Sequence, residues 1–304
     1  MIEQGTATTE AASTLGTAVV EGYQRDGYYL HRGLFSRRAI DEACAWLRAQ
    51  DPAKLAKSWT EQEPGVPLAV FSVIHKDTHP ISAIANDKRM LDMAGELMGA
   101  PVYIWSSKVN LKAAWCGAVE YYHQDLVYWK DRGYPRDEML SCMVFLDRHH
   151  LRNAALHVFP SSHRSGFIEH QAFININGLS KFMVPPSTLD RLHREHGLVA
   201  IDAQPGDVLF FHTSLVHGSS HNIGPESRMI ILSQLNTVGN EPVEVSANAK
   251  QFNLRRAEAE LREAERRYQW FKQKYESQLT SDELTFSAPI PEHEKARPAA
   301  KAKA

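Results

Sequence analysis

Fifteen histidines are a large share for a chain of 304 residues, and a few stand at spacings that could hold a metal ion. Three His-x-acid triplets occur: His75-Lys76-Asp77, His123-Gln124-Asp125 and His193-Arg194-Glu195. Two imidazoles and one carboxylate on one face of an octahedron suit Fe(II). They leave the remaining positions for a bidentate 2-oxo acid and O2. The first two ligands can stand at i and i+2 on a strand, where both side chains leave the same face. On a helix the same pair is about 200° apart and cannot chelate. His193 and Glu195 fall in a predicted helix, Ser187–His196, so they are excluded. His75 and Asp77 precede Thr78-His79-Pro80, where Asp77 or Thr78 reads as a helix cap. Only His123-Gln124-Asp125 follows a strand-like run, Ala118 to Tyr122. Taken alone, even this triplet reads as a surface histidine and a turn aspartate.

A distant third ligand changes that balance. The segment from Gln204 to Ser219 runs from a Pro205-Gly206-Asp207 turn through an apolar strand, Val208–His212, to His217-Gly218-Ser219. His212 and His221 compete with His217, the first as a packed core histidine and the second as a loop residue. His217 is preferred because another strand starts eleven residues later at Arg228 (Arg-Met-Ile-Ile-Leu). An arginine at the head of a neighbouring strand can reach the same cavity. Its planar, permanently charged guanidinium matches the distal carboxylate of 2-oxoglutarate. The plain alternative for Arg228 is a surface salt bridge. A zinc hydrolase is disfavoured, since the chain has no His-Glu-x-x-His. A further alternative is a catalytically silent barrel that assembles through its C-terminal helix.

The elements that must position these residues come in three textures. Residues 1–14 read as disordered. Helices are predicted at 15–26, closed by Gly27, at Arg37–Gln50 behind a Ser36 cap, with Ile40, Ala43, Cys44 and Leu47 on one face, and at Asp87–Met98, stopped by Gly99. Residues 28–31 read as a strand and 51–67 as a loop. From 102 onward short β-branched and aromatic runs alternate with turns: 102–111, 118–123, 140–146, 156–159, 199–201, 208–212 and 228–235. Many short strands at such spacing predict a jelly roll rather than a parallel α/β sheet. The fold class is therefore mainly β with flanking helices, one domain over 15–245 with its jelly-roll core at about 100–240. Residues 250–280 carry a heptad seam (Leu254, Ala257, Leu261, Ala264, Tyr268, Phe271, Tyr275). It predicts a long amphipathic helix, packed on its own domain or forming a homodimer contact. The Ala/Lys/Pro-rich tail, 289–304, reads as disordered. A net charge of −2 gives no pull toward nucleic acid or membrane, and three cysteines with no CxxC spacing fit a reducing compartment. No apolar run is long enough to span a membrane and no secretory signal is seen. The expectation is a cytoplasmic protein acting on a small molecule.

Five segments occur in an order that can be recognised: Val109-Asn-Leu-Lys112, His123-Gln-Asp-Leu-Val-Tyr128, Arg152 to Gly166, Pro205-Gly-Asp-Val-Leu-Phe-Phe-His212, and His217-Gly-Ser-Ser-His-Asn222 with Arg228. Together they resemble the phytanoyl-CoA dioxygenase family, which includes ectoine hydroxylase, over roughly residues 20–240. The resemblance implies a double-stranded β-helix and an Fe(II)- and 2-oxoglutarate-dependent dioxygenase. It implies His123, Asp125 and His217 as iron ligands, and Arg228 with Ser219 for the far carboxylate of 2-oxoglutarate. Asn110, Lys112 and Met143 match positions lining the cosubstrate pocket, and Trp129 and Tyr121 match positions near substrate. Asp125 disfavours halogenation, because family halogenases lack that carboxylate. Two glycines usual in the family are replaced, by Ala154 and Ser161, in connections where a left-handed backbone is expected. The family pattern does not include the heptad helix. The expected reaction is hydroxylation of an unactivated C–H, with succinate and CO2 released; the resemblance does not choose among an acyl-CoA, an amino acid, an ectoine-like osmolyte and a secondary metabolite, and the substrate expected is a small polar metabolite or natural-product intermediate.

Overall fold

The computed structural model describes residues 15–49, 70–72, 75 and 79–240, apart from 116, 118, 131–133, 135 and 175–179. The chain divides into two units, Met1–Phe252 and Asn253–Ala304, and every described residue lies in the first. The loop 51–67, the heptad segment 250–280 and both predicted disordered termini lie outside the described residues.

The N-terminal helices form for the reasons legible in sequence. Helix α1 (Thr17–Asp26) ends at Gly27, whose φ of 80° lets its N–H reach the Tyr23 carbonyl. A Cβ there would also overlap the His163 ring, so this glycine is required twice over. Helix α2 (Arg37–Ala49) buries Ile40, Ala43, Cys44 and Leu47, its predicted apolar face. Helices α3 (Pro80–Ala85) and α4 (Lys88–Met98) follow, the latter capped by the Asp87 carboxylate. The cap of α3 corrects the expectation of Asp77 or Thr78. The His79 ring accepts from the Ser82 N–H, because Pro80 fills the first helical position and sets the start of the helix one residue later.

The strands are β1 (Tyr28–His31), β2 (Val70–Ser72), β3 (Val102–Lys112), β4 (Glu120–His123), β5 (Met139–Phe145), β6 (His157–Val158), β7 (Gln171–Ile174), β8 (Ser180–Met183), β9 (Val199–Ala200), β10 (Val208–His212), β11 (His217–Ser219) and β12 (Arg228–Thr237). They form a six-stranded sheet, β1-β10-β5-β12-β3-β2, a four-stranded sheet, β4-β11-β6-β9, and the β7-β8 hairpin. All pairs are antiparallel. β3 pairs with β12, β4 with β11, β5 with β10 and β6 with β9. That is one long hairpin wound into a helix, the connectivity of a jelly roll. The short helices α5 (Val127–Lys130) and α6 (Pro186–His196) lie in its connections.

The larger sheet is buried on both faces. Leu140, Cys142, Val144, Phe210 and Ile231 face α1–α4, while Met143, Phe145, Leu209, Phe211 and Leu232 face the smaller sheet's Val158. Continuous burial along β5 follows from this double packing and explains its unbroken apolar run. The β7-β8 hairpin was not expected, although Asn177-Gly178 between two apolar runs is a strong hairpin signal. Among the described residues no helix is long and apolar enough to cross a membrane.

Candidate metal centre and cosubstrate end

His123 closes β4 and is the direct cross-strand partner of His217 on β11. Cross-strand partners project from the same face, so the two rings meet, with centroids 4.5 Å apart. Asp125 lies two residues beyond His123, at the turn into α5. Its Oδ1 is 3.5 Å from His123 Nε2 and 3.7 Å from His217 Nε2. One ligand atom from each of the three residues lies within 4.8 Å of the others, and all three side chains are buried.

The ring orientations are fixed by the backbone. His123 Nδ1 is 2.7 Å from the Tyr121 carbonyl and His217 Nδ1 is 2.9 Å from the Leu215 carbonyl. A carbonyl only accepts, so each Nδ1 carries a proton and donates, and in the neutral ring Nε2 presents its lone pair inward. Ser141 Oγ, from β5 of the opposite sheet, donates to Asp125 Oδ2 at 2.7 Å, leaving Oδ1 turned to the histidines. Gln124, fully buried between two of the ligands, pins the turn. Its amide donates to the Gly166 and Ser214 carbonyls and its oxygen accepts from Ile168 N–H.

Electrostatics divide the three. Burial pushes His217 down to about 4, helped by His123 and opposed by Asp125. Burial also opposes the charged form of Asp125, but His217, His123 and the Ser141 hydroxyl outweigh it and hold the carboxyl well below its usual range. For His123, burial is outweighed by the Asp125 bond and charge and by Glu120, so its pKa is raised. Of the three, His123 holds a proton most readily, beside an ionised Asp125. A divalent cation bound there would take that proton's place and would be held by both Nε2 lone pairs and Asp125 Oδ1. The donor set therefore fits a metal of the Fe(II) type.

The other sequence candidates separate. His193 and Glu195 lie on the surface helix α6, where Glu195 pairs with Arg191. His75 is tied to Ser107. His212 packs near His163, with ring centroids 5.3 Å apart, and His221 is exposed.

A second cluster lies along the inner faces of β3 and β12. Arg228 and Lys112 are cross-strand partners, 6% and 7% exposed. Like charges directly opposite repel unless something anionic lies between them. Lys112 Nζ donates to Ser219 Oγ at 2.7 Å and to the Ser220 carbonyl at 2.8 Å. Arg228 Nη1 donates to the Ala154 carbonyl, while its Nε is buried without a partner. Burial draws the guanidinium down to about 10, with Glu120 opposing, which leaves it a cation at neutral pH. It is not a surface ion pair. Asn110, on the same face of β3, has a buried, unpartnered side-chain oxygen. The replaced glycines also gain a meaning: Ala154 and Ser161 hold φ of 64° and 63°, as that reading required. Ala154 bears the carbonyl that Arg228 grips.

Met143 lies on the inner face of β5, opposite Leu209 and Leu232. Trp129 is buried with Trp105 and Tyr134, and the two tryptophan rings meet edge-on at 5.9 Å. Tyr121 gives the site its carbonyl, while its side chain is 46% exposed. Sequence reasoning missed Ser141, Gln124, Lys108 and Glu120. Strand alternation would have found Ser141 beside Met143 and Lys108 beside Asn110 and Lys112. Glu120 has no such signal. A register shift in the β4-β11 pairing sets it opposite Ser219, on the cavity face, where it meets Lys181 at 3.3 Å.

The model of the phytanoyl-CoA dioxygenase family matches residues 23–230. The chain belongs to that family. It is 32% identical to the ectoine dioxygenase of Sphingopyxis alaskensis over 259 residues, 80% of this chain and 84% of that one. It is 29% identical over 164 residues to the L-proline trans-4-hydroxylase of Streptomyces griseoviridis, 50% of this chain and 61% of that one. The crystal structure of EctD from S. alaskensis with 2-oxoglutarate and 5-hydroxyectoine superposes with a TM-score of 0.65 at 29% identity, covering 78% of this chain and 82% of that one. The nogalamycin carbocyclase SnoK, at 17% identity and a TM-score of 0.59 (77% of this chain, 95% of that one), shares the fold. This dioxygenase is an iron- and 2-oxoglutarate-dependent enzyme, and the silent-scaffold alternative finds no support in its relatives or in its complete triad.

Proposed function

We propose that His123, Asp125 and His217 hold Fe(II), that Arg228 with Ser219 and Lys112 receives the far carboxylate of 2-oxoglutarate, and that the enzyme hydroxylates an unactivated C–H of a small polar metabolite, releasing succinate and CO2. The observation that carries this reading is the convergence of two backbone-oriented Nε2 atoms on one Asp125 oxygen, with a buried pair of cations in the same jelly roll. When bound, iron with 2-oxoglutarate and O2 supplies the oxidising power for C–H cleavage.

The residues contribute position. Ser141 and Gln124 keep Asp125 and its turn in place. Arg228 and Lys112 orient a dianion and neutralise its far end. Asn110 and Met143 line the wall between that end and the metal. Trp129, with Trp105 and Tyr134, offers an apolar wall close to Asp125 that excludes water from the reacting carbon. Lys108 shares the inner face of β3 with Asn110 and Lys112, opposite Leu232, and is half-buried. Inward residues along a strand advance by roughly 6.7 Å each. Lys108 thus stands beyond the cosubstrate, where a cation favours a substrate bearing an acidic group. Relatives named for ectoine and L-proline support a small polar substrate. The heptad pattern read in the sequence at 250–280 keeps a homodimer contact as the alternative to packing on its own domain, and sedimentation of the full chain separates the two.

Anaerobic addition of Fe(II) and 2-oxoglutarate to the metal-free enzyme tests the centre. A weak visible charge-transfer band is expected, absent in His217→Ala. Arg228→Ala keeps Fe(II) binding but raises the 2-oxoglutarate requirement about 10- to 100-fold, the worth of a charge-assisted contact. An unchanged requirement would remove Arg228 from the site. Changes in the band on adding candidate metabolites then screen for substrate.

A further inference from the structure

One rung of the larger sheet lies against the triad and carries a side chain with no part in that scheme. Gln234 on β12 is the cross-strand partner of Ser141 on β5 and of Ser106 on β3. Ser141 in turn pairs with Phe211 on β10. Partners across a sheet project from one face, with Cβ atoms about 4.5–5.5 Å apart. Two contacts fix which face this is. Ser141 Oγ donates to Asp125 Oδ2 at 2.7 Å, and the Phe211 and His217 rings meet with centroids 4.8 Å apart. Gln234 therefore points between the sheets beside the triad, six residues along β12 from Arg228 and roughly 20 Å from it. It is 8% exposed, and its amide makes no hydrogen bond among the described residues. A buried amide left unpaired is costly, and the one open side of this amide is the cavity.

The surroundings narrow the ligand. Lys108 is the diagonal neighbour of Gln234 across the β3–β12 pair, about 7–8 Å away, half-buried and with no ion pair among the described residues. Glu120, the acid whose charge reaches it, is taken by Lys181. Just past Gln234 the pairing of β12 with β3 shifts register, which leaves Trp105 as the extra residue on β3. The Trp105 ring meets Trp129 and Tyr134 edge-on at 5.9 and 5.5 Å. An amide and a cation thus stand beside an aromatic wall next to the metal ligands.

We propose that Gln234 is a substrate-binding residue, donating its side-chain N–H to a substrate carboxylate that Lys108 neutralises, with the substrate's hydrocarbon body on the Trp105–Trp129 wall. This rests on the reading of His123, Asp125 and His217 as the iron centre. The chemical class is a small carboxylic acid with a compact apolar body. A carboxylate tied to the sheet is kept off the metal, so that a C–H bond and not the acid group faces the reacting position.

The test is calorimetric titration of the full chain loaded with Mn(II) and 2-oxoglutarate, so that no turnover occurs. The probes are L-proline and ectoine, the compounds that two relatives are named for, each beside its own carboxamide. At least one acid is expected to bind wild type, about 10-fold more tightly than its carboxamide. Gln234→Met keeps the length without the donor and is expected to weaken that acid about 10-fold, the loss of one bond to a charged group, with 2-oxoglutarate affinity unchanged. Gln234→Glu keeps the shape and is expected to reverse the preference, so that the carboxamide binds better than the acid. Binding of neither acid, wild-type affinity for the acid in Gln234→Met, or an acid preference that survives Gln234→Glu overturns the proposal. If Gln234→Met does not fold, Gln234→Glu decides on the same probes. Failure of the wild-type enzyme to bind 2-oxoglutarate would instead sink the reading of the centre.

Discussion

Ser141→Ala removes the single bond by which the larger sheet holds the triad carboxylate. The Ser141 hydroxyl is buried and donates to Asp125 Oδ2 at 2.7 Å. Deleting one oxygen leaves too little space for a useful water, so Oδ2 becomes a buried anionic oxygen without its donor. A bond to a charged acceptor contributes about 1.5–3 kcal/mol. Part of that is lost from the metal-free fold, which should lower its urea midpoint. The remainder bears on metal binding, because Asp125 Oδ1 faces the histidines only while Oδ2 is held. Loss of such an outer partner typically weakens a metal site about 10- to 100-fold. Competition between the enzyme and a chromophoric chelator for Fe(II), kept anaerobic, measures this directly. Reduced stability with unchanged Fe(II) affinity would show that the bond serves only the fold. No change in either would refute the idea that Ser141 orients the carboxylate.

Gly218, between His217 and Ser219, leaves no room for a methyl group: a Cβ would lie 2.9 Å from both the Glu120 carbonyl and Tyr122 Cδ1. Gly218→Ala should force β11 from β4, lower stability by about 1–3 kcal/mol and weaken Fe(II) binding by parting the two histidines; wild-type metal affinity in the variant would contradict this. Acid should destabilise the metal-free protein well above the carboxylate range. His212 is pushed down to about 4, chiefly by burial, with His163 adding and Asp137 opposing. Because the folded pKa lies below the unfolded value near 6.5, this stability is complete above about pH 7 and lost as pH falls toward 4. At pH 5 the loss from His212 is about 2 kcal/mol. Urea midpoints at pH 7.5 and 5.0 measure it, and equal midpoints in wild type, or an undiminished difference in His212→Gln, would show that His212 is not the cause.

Legibility in the sequence followed the range of the forces involved. Helix α2 was readable because Ile40, Ala43, Cys44 and Leu47 repeat at the helical period, and α1 because Gly27 marks its end. The triad was readable because His-x-Asp after a strand and a distal histidine are local patterns, and Arg228 because it heads a strand. Ser141 and Glu120 were not. Each gets its place from a partner on another element: the bond to Asp125 and the shifted pairing with Ser219. The replaced glycines lie between these cases. Their left-handed backbone was expected from the glycines they replace, but only the fold connects Ala154 to Arg228. The cap of α3 was misplaced because a histidine ring can do what the shorter side chains usually do.

In the proposed cosubstrate site the metal ligands His123 and His217 belong to the smaller sheet and the cations Arg228 and Lys112 to the larger one, and the Lys112–Ser219 bond links the two sheets. Packed sheets keep a separation of about 10 Å that side-chain changes hardly alter. On the proposed assignment the cavity would be a gauge of fixed span, matched to one length of dicarboxylic keto acid. A shorter homologue cannot bridge it and a longer one must buckle. New substrates can then arise through changes in the connecting loops, while the gauge that admits the common cosubstrate stays as it is.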